Sequence, residues 1–165
     1  MAKLISFAGL PGVGKTTIAR LLSQATRAVY LRVDEVEAAI RRLHPERDIG
    51  PEGYHVAAAL AASNLELGHD AIIDCVNPWT ITREMFAAAA GRAGVCILGV
   101  EVFCSDLSVH RRRVESRTAD IPGHVQPDWQ KVVSRDYTSW LEADLRIDTA
   151  HSSPDDAVRL IQALM

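Results

Sequence analysis

A glycine-rich segment near the start of the sequence carries a lysine and two threonines that could hold phosphate groups. Residues 9–17 read GLPGVGKTT, in which Gly9 and Gly14 enclose four residues and Lys15 and Thr16 follow. Glycines let backbone N–H groups approach an anion closely, Lys15 can reach the β- and γ-phosphates, and the Thr16 hydroxyl can coordinate Mg²⁺. The pattern predicts a nucleoside triphosphate site. Its members are Gly9, Pro11, Gly12, Val13, Gly14, Lys15, Thr16 and Thr17.

The flanking residues give this segment the context that the chemistry requires. The apolar run 4–8 precedes it and has strand character, and Ile18, Leu21, Leu22 and Ala25 follow it at helical spacing. A strand that ends in a glycine loop and opens a helix adds the positive end of the helix dipole to the anion site.

Two aspartates follow predicted strands and supply the acidic groups that phosphoryl transfer needs. Asp34 comes after the second strand and Asp74 after the third. Either could hold Mg²⁺ through water or take a proton from an acceptor hydroxyl. We assign Asp74 with Thr16 to the metal and Asp34 to catalysis and acceptor binding. The alternative is that each aspartate caps the following helix, in which case Glu35 would replace Asp34.

An arginine cluster provides candidate cations for the transition state. Arg111, Arg112 and Arg113 are followed by Arg117, and Arg113 and Arg117 share one face of a helix because they are four residues apart. They precede a loop rich in Pro and Gly, so Arg113 and Arg117 could close over the triphosphate as a lid. The alternative is a solvated surface paired with Glu115. The patch is small and lacks interleaved aromatic residues, which disfavours nucleic acid.

Three further polar residues have two possible interpretations each. Asn77 and Arg83 flank the turn after Asp74 and could contact an acceptor substrate, or they could be an ordinary turn residue and a surface arginine. Glu101 interrupts an apolar strand and is costly to bury unpaired. It could face the active centre or bond a buried arginine.

Strand and helix patterns alternate along the chain. Strands are predicted at about 4–8, 28–33, 71–73, 96–103 and 145–147. Helices are predicted after the glycine-rich loop, after Asp34, at about 54–67, 82–93, 106–117 and 128–141, and from Ser153. This alternation predicts a three-layer α/β P-loop NTPase fold with a parallel sheet of about five strands and a helical lid. Ligands in such sheets bind at the carboxyl ends of the strands, which gathers Asp34 and Asp74 around the loop.

Composition limits the class of protein. The chain has 165 residues, a net charge of −3 and 48% apolar residues, so we expect one cytoplasmic domain over residues 1–165, with a lid at about 106–127. No apolar run approaches the ~20 residues of a membrane span, and the early first strand leaves no room for a signal peptide. Cys75, Cys96 and Cys104 fit no zinc or redox spacing and are predicted to be buried thiols.

Several of these motifs together resemble a known family. GLPGVGKTTIARLL, Asp34, LELGHDAIIDCVNPWTITRE and RRRVESR resemble, in order along nearly the whole chain, the small P-loop kinases. The likeness is strongest to the group of kinases related to zeta toxins and chloramphenicol phosphotransferase. Gluconate, shikimate and adenylylsulfate kinases resemble the chain more distantly.

The resemblance implies transfer of the γ-phosphate of Mg·ATP to a hydroxyl of a small molecule. Lys15 and Thr16 match the residues that hold phosphates and metal, Asp34 matches the position that faces the acceptor, and Asp74 matches the acidic end of the third strand. Arg83 matches an arginine near the acceptor. Arg113 and Arg117 match lid arginines, and residues 149–152 match a segment near adenine. No substrate signature is present in residues 44–62, so the acceptor is not inherited.

Other functions remain open from the sequence. A regulatory ATPase with slow hydrolysis, a nucleoside or nucleotide kinase, and a toxin-type kinase acting on a nucleotide sugar all use this motif. A guanine-specific Asn-Lys-x-Asp motif is absent, and the Asp-x-x-Gly match at 120–123 follows a helix, so we interpret it as coincidence. The six histidines show no metal-ligand spacing. We expect no membrane partner, and a monomer or homodimer.

Overall fold

A computed structural model describes residues 1–122 and 125–165. Its strands are β1 (Lys3–Ala8), β2 (Val29–Arg32), β3 (Ala71–Asp74), β4 (Cys96–Phe103) and β5 (Leu145–Asp148). Its helices are α1 (Lys15–Thr26), α2 (Val33–Leu43), α3 (Glu52–Glu66), α4 (Thr80–Arg92), α5 (Leu107–Ser116), α6 (Trp129–Val133) and α7 (Pro154–Gln162). The strands form one parallel sheet in the order β2-β3-β1-β4-β5. The predicted three-layer fold with about five parallel strands is confirmed.

Helices cover both faces of this sheet because successive strand residues point to opposite faces and are apolar on both. Ile5 and Phe7 of β1 pack on one face with Ile18 of α1 and Ile161 of α7. Leu4 of β1 points to the opposite face, where alanines of α3 and α4 pack closely around Phe86. A strand buried on both sides is typical of a parallel sheet between helical layers. Both clusters hold β1 at the centre, so the loop after β1 starts from a rigid platform.

The predicted helix at 128–141 is wrong. Helix α6 ends at Val133, and Trp140 lies outside it, where its ring occupies the space that a Cβ on Gly99 would need, 2.6 Å away. The Trp140 backbone N–H donates to Glu101 Oε1 at 2.7 Å, as does the Tyr137 hydroxyl at 2.8 Å. Contacts with β4 therefore end this helix earlier than the sequence pattern predicts. Trp129 and Trp140 are both half-buried.

Smaller predictions also need correction. Helix α4 begins at Thr80 rather than at Thr82, whose hydroxyl donates to the Trp79 carbonyl at 2.8 Å within the first turn. Cys75 and Cys104 are buried as predicted, but Cys96 is exposed because it begins β4 at the rim of the sheet. Within the described residues, no helix combines the length and apolarity needed to cross a membrane.

The loop rich in Pro and Gly that follows Arg117, residues 118–127, is predicted to be exposed and is only partly described. Gly123 and His124 lie outside the described residues, and so does the end of the Asp-x-x-Gly match. In the described part, Ile121 is buried and Asp120 bonds to arginines of the main body. This part of the loop is therefore attached to the domain rather than fully exposed.

Candidate active site

The loop between β1 and α1 is shaped by three glycines with positive φ. Gly9, Gly12 and Gly14 have φ of 139°, 85° and 103°. A Cβ on Gly9 would lie 2.1 Å from the Val102 carbonyl oxygen, and one on Gly12 would lie 2.5 Å from a methyl carbon of Val114. Side chains at these two positions are therefore excluded by both conformation and space. The loop packs tightly on β4 and α5 and keeps its backbone close to the cleft.

Lys15 opens α1 and is buried, with 6% of its surface exposed. Its Nζ donates to the Leu10 carbonyl at 2.9 Å, so the ammonium folds back over its own loop. Burial lowers the pKa of Lys15, while the charges of Asp74 and Asp34 oppose that shift. The lysine is thus held beside both aspartates at the mouth of the phosphate loop.

A cleft of about 890 Å³ opens at the carboxyl ends of the strands. It brings together most of the site residues predicted from sequence. Its lining includes Pro11, Gly12, Val13, Gly14, Lys15, Thr16, Thr17, Asp34, Asp74, Arg113 and Arg117. Thr149 and Ser152, from the segment predicted to lie near adenine, also line it. The sheet topology accounts for this convergence, because parallel strands deliver their following residues to one edge.

The two aspartates occupy different environments in this cleft. Asp74 is 2% exposed, accepts a hydrogen bond from the Tyr30 hydroxyl at 2.7 Å and lies 3.8 Å from Arg32 Nε. Burial, followed by the Asp74 charge, raises the pKa of Tyr30, so its hydroxyl stays protonated and donates. The side chain of Asp34 is 36% exposed and lies 3.8 Å from an Arg32 nitrogen. Asp74 is fixed, whereas Asp34 is accessible.

The capping interpretation of these aspartates is wrong. Asp34 lies inside the first turn of α2, and the N-cap of that helix is Arg32. Asp74 ends β3, and the next helix, α4, begins six residues later with Trp79 as its N-cap. Neither carboxylate therefore caps the N-terminus of a helix.

Thr16 and Asp74 could hold Mg²⁺. Both line the cleft beside the phosphate loop, and both offer oxygen atoms, which this hard cation prefers. Within residues 1–122 and 125–165, His, Cys, Asp and Glu form no group of three or more arranged to hold a metal by themselves. A site with few protein ligands fits Mg²⁺ that takes its remaining ligands from nucleotide phosphates and water.

The arginines of the predicted lid have three different surroundings. Arg113 donates to the Thr149 hydroxyl at 2.8 Å and to the Thr149 carbonyl at 3.0 Å, which ties α5 to the segment after β5. Arg117 follows the last residue of α5 and lines the cleft, where burial lowers its pKa and the Asp34 charge opposes that shift. Arg111 instead pairs with Glu115 at 2.7 Å on the exposed surface. The surface interpretation therefore holds for Arg111 but not for Arg117.

Asn77 and Arg83 are buried beside the cleft and are absent from its described lining. Asn77 has φ 49° and donates to Ser6 Oγ at 3.2 Å. Arg83 Nε donates to the Asn77 carbonyl at 3.2 Å, and its guanidinium lies 5.1 Å from the Trp140 ring. Both side chains thus stabilise the turn after β3. Their contact with an acceptor stays a prediction.

Glu101 bonds an arginine, as its second interpretation proposed, but that arginine is exposed rather than buried. Glu101 is 2% exposed, and its second oxygen accepts from Arg146 Nε at 2.6 Å. Burial raises the pKa of Glu101, but the hydrogen bonds from Trp140, Arg146 and Tyr137 outweigh it and keep the pKa below its usual range. The residue supports the packing of residues 137–146 on β4.

Sequence reasoning missed an arginine that organises the cleft. Arg32 ends β2, is 7% exposed and donates to Asp120 Oδ2 at 2.7 Å, and the same oxygen lies 3.0 Å from Arg20 Nη2. The hydrogen bond from Arg32 lowers the pKa of Asp120. A signal was present, because a charged residue at the end of a largely apolar strand, two residues before Asp34, is unusual.

Comparisons with known proteins agree with this geometry. The model of the AAA domain family matches residues 4–135. A presumed kinase of Chloroflexus aurantiacus shares 20% identity over 99% of this chain and 95% of its own, with a TM-score of 0.78. An APS kinase of Mycobacterium tuberculosis, solved with AMPPNP and APS, shares 20% sequence identity over 99% of this chain and 97% of its own, with a TM-score of 0.70. A gluconokinase of Sinorhizobium meliloti shares 19% sequence identity over 98% of this chain and 90% of its own, with a TM-score of 0.66. No curated protein matches the sequence. At these identities the solved structures establish the fold.

Proposed function

The chain belongs to the AAA domain family, and from that premise we propose that it is an ATP-dependent phosphotransferase acting on a hydroxyl of a small molecule. One observation carries the proposal: Lys15, Asp34, Asp74 and Arg117 line a single cleft at the carboxyl ends of the strands. Phosphoryl transfer needs positioning and charge neutralisation more than covalent chemistry, and these residues supply both.

The nucleotide lies on the loop after β1. Backbone N–H groups of residues 12–16 and the N-terminus of α1 bind the β- and γ-phosphates. Lys15 exchanges its hydrogen bond to the Leu10 carbonyl for hydrogen bonds to phosphate oxygens. Thr16 and Asp74 would hold Mg²⁺, which when bound would neutralise phosphate charge. Tyr30 and Arg32 keep the Asp74 carboxylate in place.

The acceptor hydroxyl lies against Asp34. Asp34 accepts its hydrogen bond and takes its proton as the hydroxyl oxygen bonds to the γ-phosphorus, while the bond from that phosphorus to the bridging oxygen of ADP breaks. Arg117 neutralises the charge that develops on the transferred group, and Arg113 holds α5 to Thr149 near the nucleotide. The half-exposed position of Asp34 supports this role because an acceptor can reach it.

The relatives support a kinase of small molecules. The named neighbours include an APS kinase solved with a nucleotide analogue and a gluconokinase. We propose one kinase domain over residues 1–165 with a lid at about 106–127, working in the cytoplasm as a monomer or homodimer. The net charge of −3 argues against nucleic acid as the acceptor.

The test is ADP release from Mg·ATP, measured alone and with a panel of hydroxylated acceptors. Stimulation by an acceptor, with a product heavier by one phosphate, is the expected result. Lys15→Ala should abolish it, while the control Lys131→Ala, at an exposed lysine, should not. Tight nucleotide binding with slow hydrolysis that no acceptor stimulates would instead support a regulatory ATPase.

A further inference from the structure

Helix α2 extends the cleft away from the phosphate loop. Asp34, Glu37 and Arg41 lie at spacings of three and four residues, and all three line the cleft. Arg41 is two turns beyond Asp34, or about 10 Å along the helix axis. Arg135, which follows α6, lines the same cleft. The cleft therefore has a second polar region past the proposed catalytic base.

The charges in this region come from two elements and act on one another. Glu37 is half-buried, and burial, followed by the neighbouring charge of Asp34, raises its pKa. The charges of Arg41 and Arg135 oppose that shift, and both residues line the same cleft as Glu37. A carboxylate and two cations thus face one space.

The Glu37 side chain lies against Gly53 in the first turn of α3. A Cβ on Gly53 would lie 2.6 Å from Glu37 Cγ and 3.2 Å from its Oε1. Contacts under 3.0 Å are too close for real side chains, so the absence of a Cβ at Gly53 makes room for this glutamate. A side chain at position 53 would therefore compete with Glu37 for this space.

These three side chains keep their charges available to a ligand. Among residues 1–122 and 125–165, no ion pair within 4.0 Å reaches Glu37, Arg41 or Arg135, whereas Arg32 and Arg146 in the same molecule are paired. The described hydrogen bonds also leave the Glu37 side chain without a partner. Arg41 and Arg135 are exposed and can move toward a bound molecule.

We propose that the acceptor is a small polyhydroxylated anion whose hydroxyl end lies against Asp34 and Glu37 and whose anionic group binds Arg41 and Arg135. This assignment rests on the proposed phosphotransferase function. Guanidinium groups bind carboxylate and phosphate in pairs of charge-assisted hydrogen bonds, and carboxylates accept hydroxyl protons. The cleft volume of about 890 Å³ is near the upper end for ligand pockets and has room for a second small molecule beside the nucleotide.

The first experiment compares acceptors that share a carbon skeleton and differ in charge. ADP release from Mg·ATP is measured with glucose, gluconate and glucose 6-phosphate, and with ribose, ribonate and ribose 5-phosphate. The anionic members should give the higher kcat/KM, and the products should gain one phosphate by mass. Comparing the carboxylate and phosphate members shows which anionic group the two arginines accept.

The second experiment removes each positive charge. Arg41→Gln and Arg135→Gln should each raise the acceptor KM by about 10-fold or more, because charge-assisted hydrogen bonds are lost. The KM for Mg·ATP should change less than about twofold, since both arginines lie away from the phosphate loop. Arg42→Gln is the matched control, because Arg42 is exposed on the same helix and is absent from the described lining.

Two results would overturn the assignment. One is an equal or higher kcat/KM for the neutral sugars, with a KM that Arg41→Gln and Arg135→Gln leave unchanged. The other is a lack of stimulation by every anionic member while a neutral hydroxylated acceptor does stimulate ADP release. Failure to bind a fluorescent ATP analogue, or binding with a turnover that no acceptor stimulates, would overturn the proposed function itself, and the acceptor assignment with it, so the two failures are distinguishable.

Discussion

At the scale of single residues, the cleft separates charge that is fixed from charge that can move. Asp74 is held by Tyr30 and lies close to Arg32, and Lys15 is held by the Leu10 carbonyl. Asp34 and Arg117 are only half-buried and face the space an acceptor would enter. Fixed groups suit binding of the nucleotide, and accessible groups suit the transfer step.

Asp34→Asn tests the proposed base. The variant should lower kcat by about 100-fold or more, because the amide cannot take the hydroxyl proton. The nucleotide Kd should stay within about twofold, since Lys15 and the loop glycines are unchanged. Steady-state kinetics and titration with a fluorescent nucleotide measure the two quantities. Glu35→Gln, on the exposed neighbour, is the control. Equal losses of binding and turnover would make Asp34 a metal or structural residue.

Arg117→Ala tests the transition-state cation. Removing a charge that acts on the transferred group should reduce kcat by about 100-fold. The free energy of unfolding should fall by less than about 1 kcal/mol, because no described hydrogen bond or ion pair involves this side chain. Urea unfolding supplies that value, and Arg111→Ala, which breaks only a surface pair, should leave turnover unchanged. Unfolding of the Arg117 variant would show that the arginine is structural.

At the scale of elements, α5 and the segment after it, as far as Asp120, are joined to the body by two sets of contacts. Arg113 reaches Thr149 beyond β5, and Asp120 reaches Arg32 at the end of β2 and Arg20 on α1. The described part of this segment therefore spans the cleft between opposite edges of the sheet.

Asp120→Asn tests the second contact through its dependence on pH. Asp120 has a lowered pKa, so its contribution to stability is complete above the unfolded value of about 3.9 and is lost as pH falls through the lower folded value. At neutral pH the variant should lose about 1 kcal/mol, a modest value because 38% of the side chain is exposed. Urea unfolding of both proteins between pH 7 and 2.5 should show this difference disappearing in acid. A difference that is constant across this range would contradict the ion pair.

Two glycines on different elements test how Trp140 packs. Gly99→Ala should destabilise the protein by about 1–3 kcal/mol, because the new Cβ would lie 2.6 Å from the Trp140 ring. Gly91→Ala, on α4 with no atom within 4 Å of the new Cβ, should stabilise it by about 0.5–1 kcal/mol. Thermal and urea unfolding measure both. Equal effects would mean that Trp140 does not occupy the space above Gly99.

At the scale of the whole molecule, the features that the sequence could predict are those that neighbouring residues encode, and the features it could not predict depend on contacts between distant residues. The phosphate loop and the five strands are encoded locally, in glycine spacing and apolar runs, and both are confirmed. The likeness to small P-loop kinases is confirmed at the level of the fold. The pairing of Arg32 with Asp120 joins residues 88 positions apart, and no local pattern specifies such a contact. The end of α6 was missed for a related reason, since Trp140 packs against a strand about 40 residues earlier.

The acceptor region was missed because its parts are scattered. Asp34, Glu37 and Arg41 follow a helical spacing that was visible in the sequence, but Arg135 joins them only through the fold. The roles of the individual site residues stay predictions.

The fate of the γ-phosphate tests the central claim most directly. The protein is incubated with ATP labelled in that group, Mg²⁺ and the best acceptor, and the label is then located by chromatography and mass. The account predicts that most label appears on the acceptor hydroxyl, in equal amount to the ADP formed, and that Lys15→Ala transfers none. Label found only in inorganic phosphate, at a rate that acceptors leave unchanged, would contradict a phosphotransferase.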